Sequence, residues 1–308
     1  MDSIKIFAPA SVANVACGFD IFGFAVDNPG DEITLTKNNT GNLNILSIEG
    51  DGGRLPKDPT KNTSTIAIQK YLEHIQSGQG FDIHLKKLMP LGSGMGSSAA
   101  SAVAGVFAVN ELMGRAIAQK DLLPFAMEGE RIACGSAHAD NVGPSLMGGF
   151  VVIRSYEPLD IIKIKTPYEL YATIVHPQVE VNTKDARNIL RREVSLKNTI
   201  TQMGNVAGLI AGLMTPDYDL ISRSLVDVII EPIRSILIPQ FDDVKNAAID
   251  NGALGCSISG SGPAMFALSK DIETAKRVGA AMQKGFAKVS IESECYVSRI
   301  NENGPVIL

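Results

Sequence analysis

The stretch Pro90-Leu91-Gly92-Ser93-Gly94-Met95-Gly96-Ser97-Ser98, with the small apolar run Ala99–Val109 behind it, decides how the rest of the chain is read. Before it, Phe81, Ile83 and Leu85 alternate with Asp82, His84 and Lys86, the period of a strand with one solvated face. After it, Ala99, Ala100, Ala102, Ala104 and Gly105 predict a helix, reaching about Met113, that is packed closely on both sides. Strand, glycine loop and helix in that order make an anion site. Glycine admits backbone turns that other residues avoid, and its missing side chain lets amides approach a ligand. The unpaired N–H groups and positive dipole end of the helix then face that ligand. The spacing G-x-G-x-G is not a Walker A loop, because no Lys-Ser/Thr follows the last glycine, and it is not a dinucleotide fingerprint. Alone, such a loop serves a phosphate cradle or a tight structural turn equally well.

Outward from the loop, residues 3–8 and 31–36 alternate as strands, and 43–48 is a third candidate. Ala8–Asp20, small and polar, reads as a loop between the first two. Residues 63–76 predict an amphipathic helix with Ile68, Tyr71, Leu72 and Ile75 on one face and Thr63 or Ser64 as cap. A further helix covers about Lys120 to Ala133, with Pro124 tolerated in its first turn. The strand-like Phe150–Arg154 precedes a loop-prone stretch punctuated by Pro158 and Pro167. The domain boundary is expected there, dividing the chain into 1–155 and 156–308. Beyond it come a strand at Leu170–Val175 and a helix at 196–214 whose core face is expected to carry Met203, Val206, Ala207 and Ile210. A helix at about 241–251, strand pieces at 254–258 and 264–268, a helix at 271–285 and a strand ending near Ile300 complete the pattern. That order suits an α+β chain of split βαβ type.

Composition narrows the function. Of 308 residues, 45% are hydrophobic and 20% charged, which excludes a disordered chain. Net charge is −5 with no basic run, so a nucleic-acid partner is not expected. No apolar stretch is long enough to span a bilayer, and the N-terminus enters a strand pattern without a signal-like segment. Cys17, Cys134, Cys256 and Cys295 lack metal-site spacing, and a reducing cytoplasm is the simplest setting.

Three ordered motifs then carry a family resemblance. They are A-P-A-S-V-A-N-V-A-C-G-F-D (Ala8–Asp20), P-L-G-S-G-M-G-S-S-A-A-S (Pro90–Ser101) and G-C-S-I-S-G-S-G-P (Gly255–Pro263). Together they resemble the signature motifs of the GHMP kinases, over essentially the whole chain. Within that family, Asn14–Gly23, Ala137–Pro144, Val181–Arg187 and Ile230–Arg234 are similar to the homoserine-phosphorylating branch. The resemblance implies an N-terminal ATP-binding domain with a left-handed βαβ unit, an exception to the usual handedness. It also implies a ferredoxin-like C-terminal domain, a cleft site between the two, and a homodimer. ATP and Mg²⁺ are the implied co-substrate and cofactor, and L-homoserine the implied acceptor, in threonine biosynthesis.

The resemblance also assigns residues. Asn62 and the loop Pro90, Leu91, Gly92, Ser93, Gly94, Met95, Gly96, Ser97 and Ser98 are expected on ATP, with Ser98 and Glu130 holding Mg²⁺. Arg187 and Arg234 are expected on the substrate carboxylate, for which guanidinium offers a bidentate match. Asn14 and Asp20 suit its ammonium, while His138, Thr183 and Gly260 are further expected contacts. Taken without the resemblance, Asn14 and Asp20 read as loop caps, Thr183 as a helix cap, His138 as a structural histidine and Glu130 as a solvated acid. Asn141 stands where relatives acting on mevalonate or galactose carry an aspartate, and an amide cannot take a proton. The expected mechanism is direct attack by the hydroxyl, positioned by Asn141, because phosphoryl transfer relies mainly on positioning and charge stabilisation. Asp140 is the alternative proton acceptor. Two other readings stand beside this one: another kinase of the family acting on mevalonate or a sugar, and a ligand sensor that has lost catalysis.

Overall fold

The computed structural model describes residues 1–135 and 138–308. Ala137, which opens the matched stretch Ala137–Pro144, lies outside them. The N-terminal half contains β1 (Ser3–Ala13), β2 (Phe22–Asn38), β3 (Leu43–Glu49), α1 (Thr63–His74), β4 (Gly80–Lys86) and α2 (Ser97–Leu112). It continues through α3 (Leu123–Cys134), α4 (Ala139–Met147), β5 (Phe150–Tyr156) and β6 (Leu159–Ile164). The C-terminal half contains β7 (Tyr171–Pro177), α5 (Thr183–Asn188), α6 (Leu196–Met214), α7 (Tyr218–Ser224), α8 (Glu231–Arg234) and α9 (Phe241–Asp250). Last come β8 (Gly255–Ile258), β9 (Met265–Ser269), α10 (Ile272–Ala287), β10 (Ser293–Arg299) and β11 (Val306–Ile307).

The first sheet runs β11-β1-β2-β4-β3, with β5 on the start of β2 and β6 on β5. Its one parallel pair, β3 with β4, is joined by the crossover helix α1. Three expectations are corrected. The first concerns β1, which continues through Ala13, so the front of Ala8–Asp20 is strand rather than loop. Pro9, which cannot donate to a ladder, sits where the register shifts against β2. The second concerns the proline-punctuated segment after 155, where Leu159–Ile164 pairs with β5 and Pro158 lies in the turn. Ile162 and Ile164 flank Lys163 in a β-branched run, a strand signal that the prolines masked. β6 thereby carries the first sheet to Ile164, past the expected division at 155/156.

The second sheet has the order β10-β7-β9-β8, all antiparallel. Counting its strands along the chain gives 4-1-3-2, the ferredoxin-like arrangement, with α10 and α9 packed together over one face. The chain then returns to the first sheet: Val26 bridges Ile300, and β11 pairs with β1. Phe24 stacks on Phe150 at 4.7 Å and meets Phe266 of the second sheet edge-on at 5.7 Å. An apolar core shared by both halves holds the two walls of the cleft in register.

The third correction is α6. Its buried residues are Gln202, Leu209, Gly212 and Leu213, and Val206 and Ile210 pack against the core as expected, whereas Met203 is 66% exposed and Ala207 is also exposed. Helical periodicity finds an apolar stripe but not what covers it, and this helix has apolar residues on two faces.

Candidate active site

The three motifs meet by backbone contact. Ser11 N donates to Met95 O at 3.1 Å, and Ala264 N donates to Ser93 O at 3.1 Å. Ser259 Oγ donates to Gly94 O at 2.7 Å, and Gly260 N donates to Ala13 O at 3.2 Å. Asn14 Nδ2 closes the ring on Gly260 O at 2.7 Å. Two loop glycines are required by this closeness as much as by their left-handed φ. A Cβ on Gly94 would stand 2.4 Å from Ser259 O, and one on Gly96 would stand 2.3 Å from Ser11 Oγ and 2.8 Å from Asn141 Oδ1. Between the motifs lies a cavity of about 420 Å³, a size that suits a small-molecule site.

One wall of this cavity is the start of α2. Its N-cap is Gly96, which offers no side-chain bond, so the first-turn amides are left to an anion. The helix can enter the core because 14 of its 16 residues are buried and most are small. Its first two serines are separated in role by their partners. Ser97 Oγ donates to Asp31 Oδ2 at 2.8 Å, while Ser98 Oγ donates to Glu130 Oε1 at 3.1 Å. Glu130, on α3, is 3% exposed rather than a surface acid. Of the expected loop contacts, Leu91, Gly92, Ser93, Gly94, Gly96, Ser97 and Ser98 line the cavity, but Pro90 and Met95 do not. The Met95 side chain is fully buried in the core, so only its backbone can serve a ligand. Asn62 also lines the cavity, and its amide caps α1: Oδ1 accepts from Ser64 N and Oγ, while Nδ2 donates to Pro56 O.

The other wall is built from side chains. Asp20 accepts from Arg187, and His138 Nδ1 lies 3.8 Å from its other carboxylate oxygen. Arg234 is 5% exposed and donates to Ala186 O at 2.9 Å and Gly260 O at 3.2 Å. Both guanidinium groups stand over the Phe19 ring, at 5.5 Å for Arg187 and 4.9 Å for Arg234. Thr183 Oγ1 reaches Ser261 Oγ at 3.2 Å. Asn14 and Asp20 hold positive φ of 72° and 61°, a left-handed backbone that Asn and Asp adopt more readily than other non-glycine residues. Asn141 accepts from Ser11 Oγ at 2.9 Å, so its amide N–H groups are what it can offer a ligand.

Titration follows burial. Burial, reinforced by Asp20 and Glu130, pushes the Asp140 carboxyl up to about 7. Burial also lowers His138, with Arg187 and Arg234 adding to it and Asp20 opposing, which leaves a neutral imidazole at pH 7. Several residues escaped the sequence reading. Lys87 Nζ, nearly inaccessible, pairs with Asp31 and donates to Ser97 O at 2.9 Å and Ser101 Oγ at 2.6 Å. Asp31 Oδ1 accepts from Leu88 N at 2.9 Å, so one ion pair ties β2 and the end of β4 to the start of α2. Tyr156 donates to Asp20 O at 3.0 Å and Phe19 supplies the ring under the arginines. The adjacent Lys86-Lys87 at a strand end was the available signal, since alternation turns one of them inward.

Among the described residues, no group of three or more His, Cys, Asp or Glu could hold a metal, and no helix is long and apolar enough to cross a membrane. Ser98 and Glu130 are nevertheless hard oxygen donors at hydrogen-bond distance, and a sparse protein contribution suits Mg²⁺, which keeps waters and takes phosphate ligands.

Family models for the GHMP kinases N terminal domain and GHMP kinases C terminal match residues 62–149 and 209–288. A homoserine kinase of Chlorobium phaeobacteroides (strain BS1) is 53% identical, with 100% of both chains covered. The crystal structure of a homoserine kinase from Cytophaga hutchinsonii superposes with a TM-score of 0.98 at 61% identity, covering 100% of this chain and 98% of that one. A mevalonate kinase from L. major shares the fold alone, with a TM-score of 0.73 at 15% identity over 96% of each chain. A chain with these motifs, this ferredoxin-like second half and full-length relatives of this identity belongs to the GHMP kinases, in the homoserine kinase family.

Proposed function

We propose that the chain transfers the γ-phosphoryl group of ATP to the hydroxyl of L-homoserine, giving O-phospho-L-homoserine and ADP. The observation that carries this reading is the opposition of the two walls across one cavity. Exposed amides at the start of α2 face a wall where Asp20 and Arg187 already form an ion pair beside the buried Arg234. A zwitterionic amino acid fits such a pair by exchange: its ammonium takes Asp20 and its carboxylate takes the guanidinium groups. Among the described residues Arg234 donates to the backbone carbonyls of Ala186 and Gly260, and a substrate carboxylate would give that buried charge an anionic partner. Mevalonate has no ammonium for Asp20, which disfavours that acceptor.

In the mechanism, Leu91–Ser98 receives the triphosphate on backbone N–H groups, with Asn62 shaping its edge. Ser98 and Glu130 would hold Mg²⁺, which when bound neutralises developing charge on the transferring group. Asn14, His138, Thr183 and Gly260 orient the amino acid. Asn141 donates from its amide to the acceptor hydroxyl, aligning it for in-line attack, and the proton passes to a phosphate oxygen. A second reading, favoured by a carboxyl near pH 7 beside Asn141, gives the proton to Asp140. The reaction belongs to threonine biosynthesis, in the cytoplasm. Consistent with a reducing compartment, Cys17, Cys256 and Cys295 are free thiols.

We also propose a homodimer through α6. Leu196, Ile200, Met203, Ala207, Ile210 and Met214 repeat at alternating spacings of four and three residues, and Leu196, Ile200, Met203 and Met214 are 75%, 61%, 66% and 56% exposed. Lys197 is the one charge on the helix, so the seam is complementary to itself about a two-fold axis. Ile200→Glu should yield monomers by light scattering, and an unchanged mass would remove this face. For the reaction, ADP release with Mg-ATP is measured against homoserine, mevalonate, galactose and serine. Turnover confined to homoserine supports the assignment, and turnover of mevalonate instead overturns it.

A further inference from the structure

The loop that carries Asn14 and Asp20 is held in a costly shape. Asn14, Val15 and Ala16 are consecutive non-glycine residues with φ of 72°, 40° and 56°, and Asp20 adds a fourth at 61°. Val15 is β-branched, the kind of residue that left-handed backbone suits least. Such a conformation persists only where its surroundings over-determine it. Part of the restraint is internal: Asn14 N donates to Phe22 O at 2.8 Å, Phe22 N to Gly18 O at 2.9 Å, and Asp20 N to Asn14 Oδ1 at 3.0 Å.

From outside, Gly260, Tyr156 and Arg187 hold the two ends of the loop, and α6 holds its middle. Gln202 is 9% exposed and its amide is used on both sides. Nε2 donates to Cys17 O and to Asp227 Oδ1, each at 2.9 Å, while Oε1 accepts from Val228 N at 3.0 Å. Asp227 in turn accepts from Ile229 N and Ile230 N at 2.9 and 3.0 Å and from Glu231 N at 2.9 Å. Those amides open α8, whose last residue is Arg234. One buried side chain therefore connects the middle of the Asn14–Asp20 loop to the turn that presents Arg234.

Resting on the homoserine reading of the site, we infer that Gln202 is a positioning residue that sets the spacing between the ammonium-binding loop and the carboxylate-binding arginine. It does not line the cavity. Its removal loosens the amino-acid wall and leaves the phosphate wall, which is built on α2, unaltered.

The test compares wild type with Gln202→Met, which keeps length and apolar bulk but loses every hydrogen bond. Gln202→Glu, which keeps the acceptor for Val228 and loses both donations, serves if the first variant does not fold. The KM for homoserine should rise about tenfold, the order expected for losing a buried hydrogen bond, with the KM for ATP within about twofold. Hydrogen exchange, which needs no substrate, should speed up at the amides of Asn14, Asp20 and Phe22 and stay unchanged along α2. Parallel rises in both KM values with a lowered Tm would reduce Gln202 to a structural role and overturn the inference. Unchanged KM and unchanged exchange would overturn it too. A wild-type protein that fails to turn over homoserine would sink the functional reading instead, and the exchange measurement would still decide the role of Gln202.

Discussion

The two walls of the cavity solve recognition in opposite ways. The phosphate wall is contiguous in sequence and made largely of backbone: a glycine loop, the first turn of α2, and two short serines with separate partners. The amino-acid wall is assembled from Asn14–Asp20, His138, Thr183–Arg187 and Arg234, segments drawn from both halves of the chain. It consists of side chains, several of them charged and buried, on strained backbone. A phosphate needs little more than convergent N–H groups, which a local turn can supply. A zwitterion needs opposite charges a few ångströms apart, and no short segment presents both without their collapsing on each other. In this structure they do meet, as Asp20 with Arg187. The amino-acid wall therefore draws its recognition groups from distant segments, whereas the phosphate wall draws them from adjacent residues that distant contacts only seat.

Substitutions can break or sharpen that contrast. The largest effect is expected from Glu130→Gln, which keeps shape and removes the charge beside Ser98. Turnover should fall about a thousandfold with little change in the KM for homoserine. A comparable rise in that KM instead would mean the walls are not separable. Next is Lys87→Met, which strands the buried Asp31 carboxylate under the phosphate wall. Unfolding free energy should drop by about 3–5 kcal/mol, read from urea melts, and a loss below about 1 kcal/mol would show that the pair is not what seats α2. Arg234→Met should raise the KM for homoserine about a hundredfold, as truncating a buried charge contact does, and leave the KM for ATP unaltered.

The smallest effect on turnover is expected from Asp140→Asn. If the proton passes to phosphate, turnover stays within about tenfold, the lower edge of what a general base contributes. A loss of several orders of magnitude with both substrates still bound would give the proton to Asp140. Stability supplies an independent reading with a definite sign. A carboxyl raised from its ordinary 3.8 to about 7 in the folded chain favours the protonated form, so its ionisation cost is absent below 3.8. The cost accumulates between those values and is complete above pH 7. The substitution should therefore raise Tm more at pH 8 than at pH 5, with a gain of at most about 4 kcal/mol at the higher pH. An equal gain at both would show that Asp140 does not carry that shift.

Sequence reading went furthest where structure is local. The strand, loop and helix around Gly92–Ser98 needed only periodicity and glycine spacing, and the second sheet followed from its strand and helix order. It failed where a pattern has two structural outcomes. The apolar residues of α6 lie on two faces, and periodicity chose Met203 and Ala207 for the core when Leu209 and Leu213 occupy it. Pro158 was read as loop punctuation when it turns a hairpin. Asp31 and Gln202 carried no local mark, because a polar residue on a strand or helix looks solvated until its buried partner is found, and Lys87 carried only the doubled lysine at its strand end.

By itself the sequence determined the class of fold, the place of the anion-binding turn and the family to which the chain belongs. All of these rest on residues adjacent in the chain or on ordered motifs. Tertiary structure alone decided which charges pair, which acids are buried, and what props the strained loop. Those properties come from desolvation and from contacts between residues as distant as Cys17 and Gln202, or Asn14 and Gly260, and both arise only when the chain closes on itself.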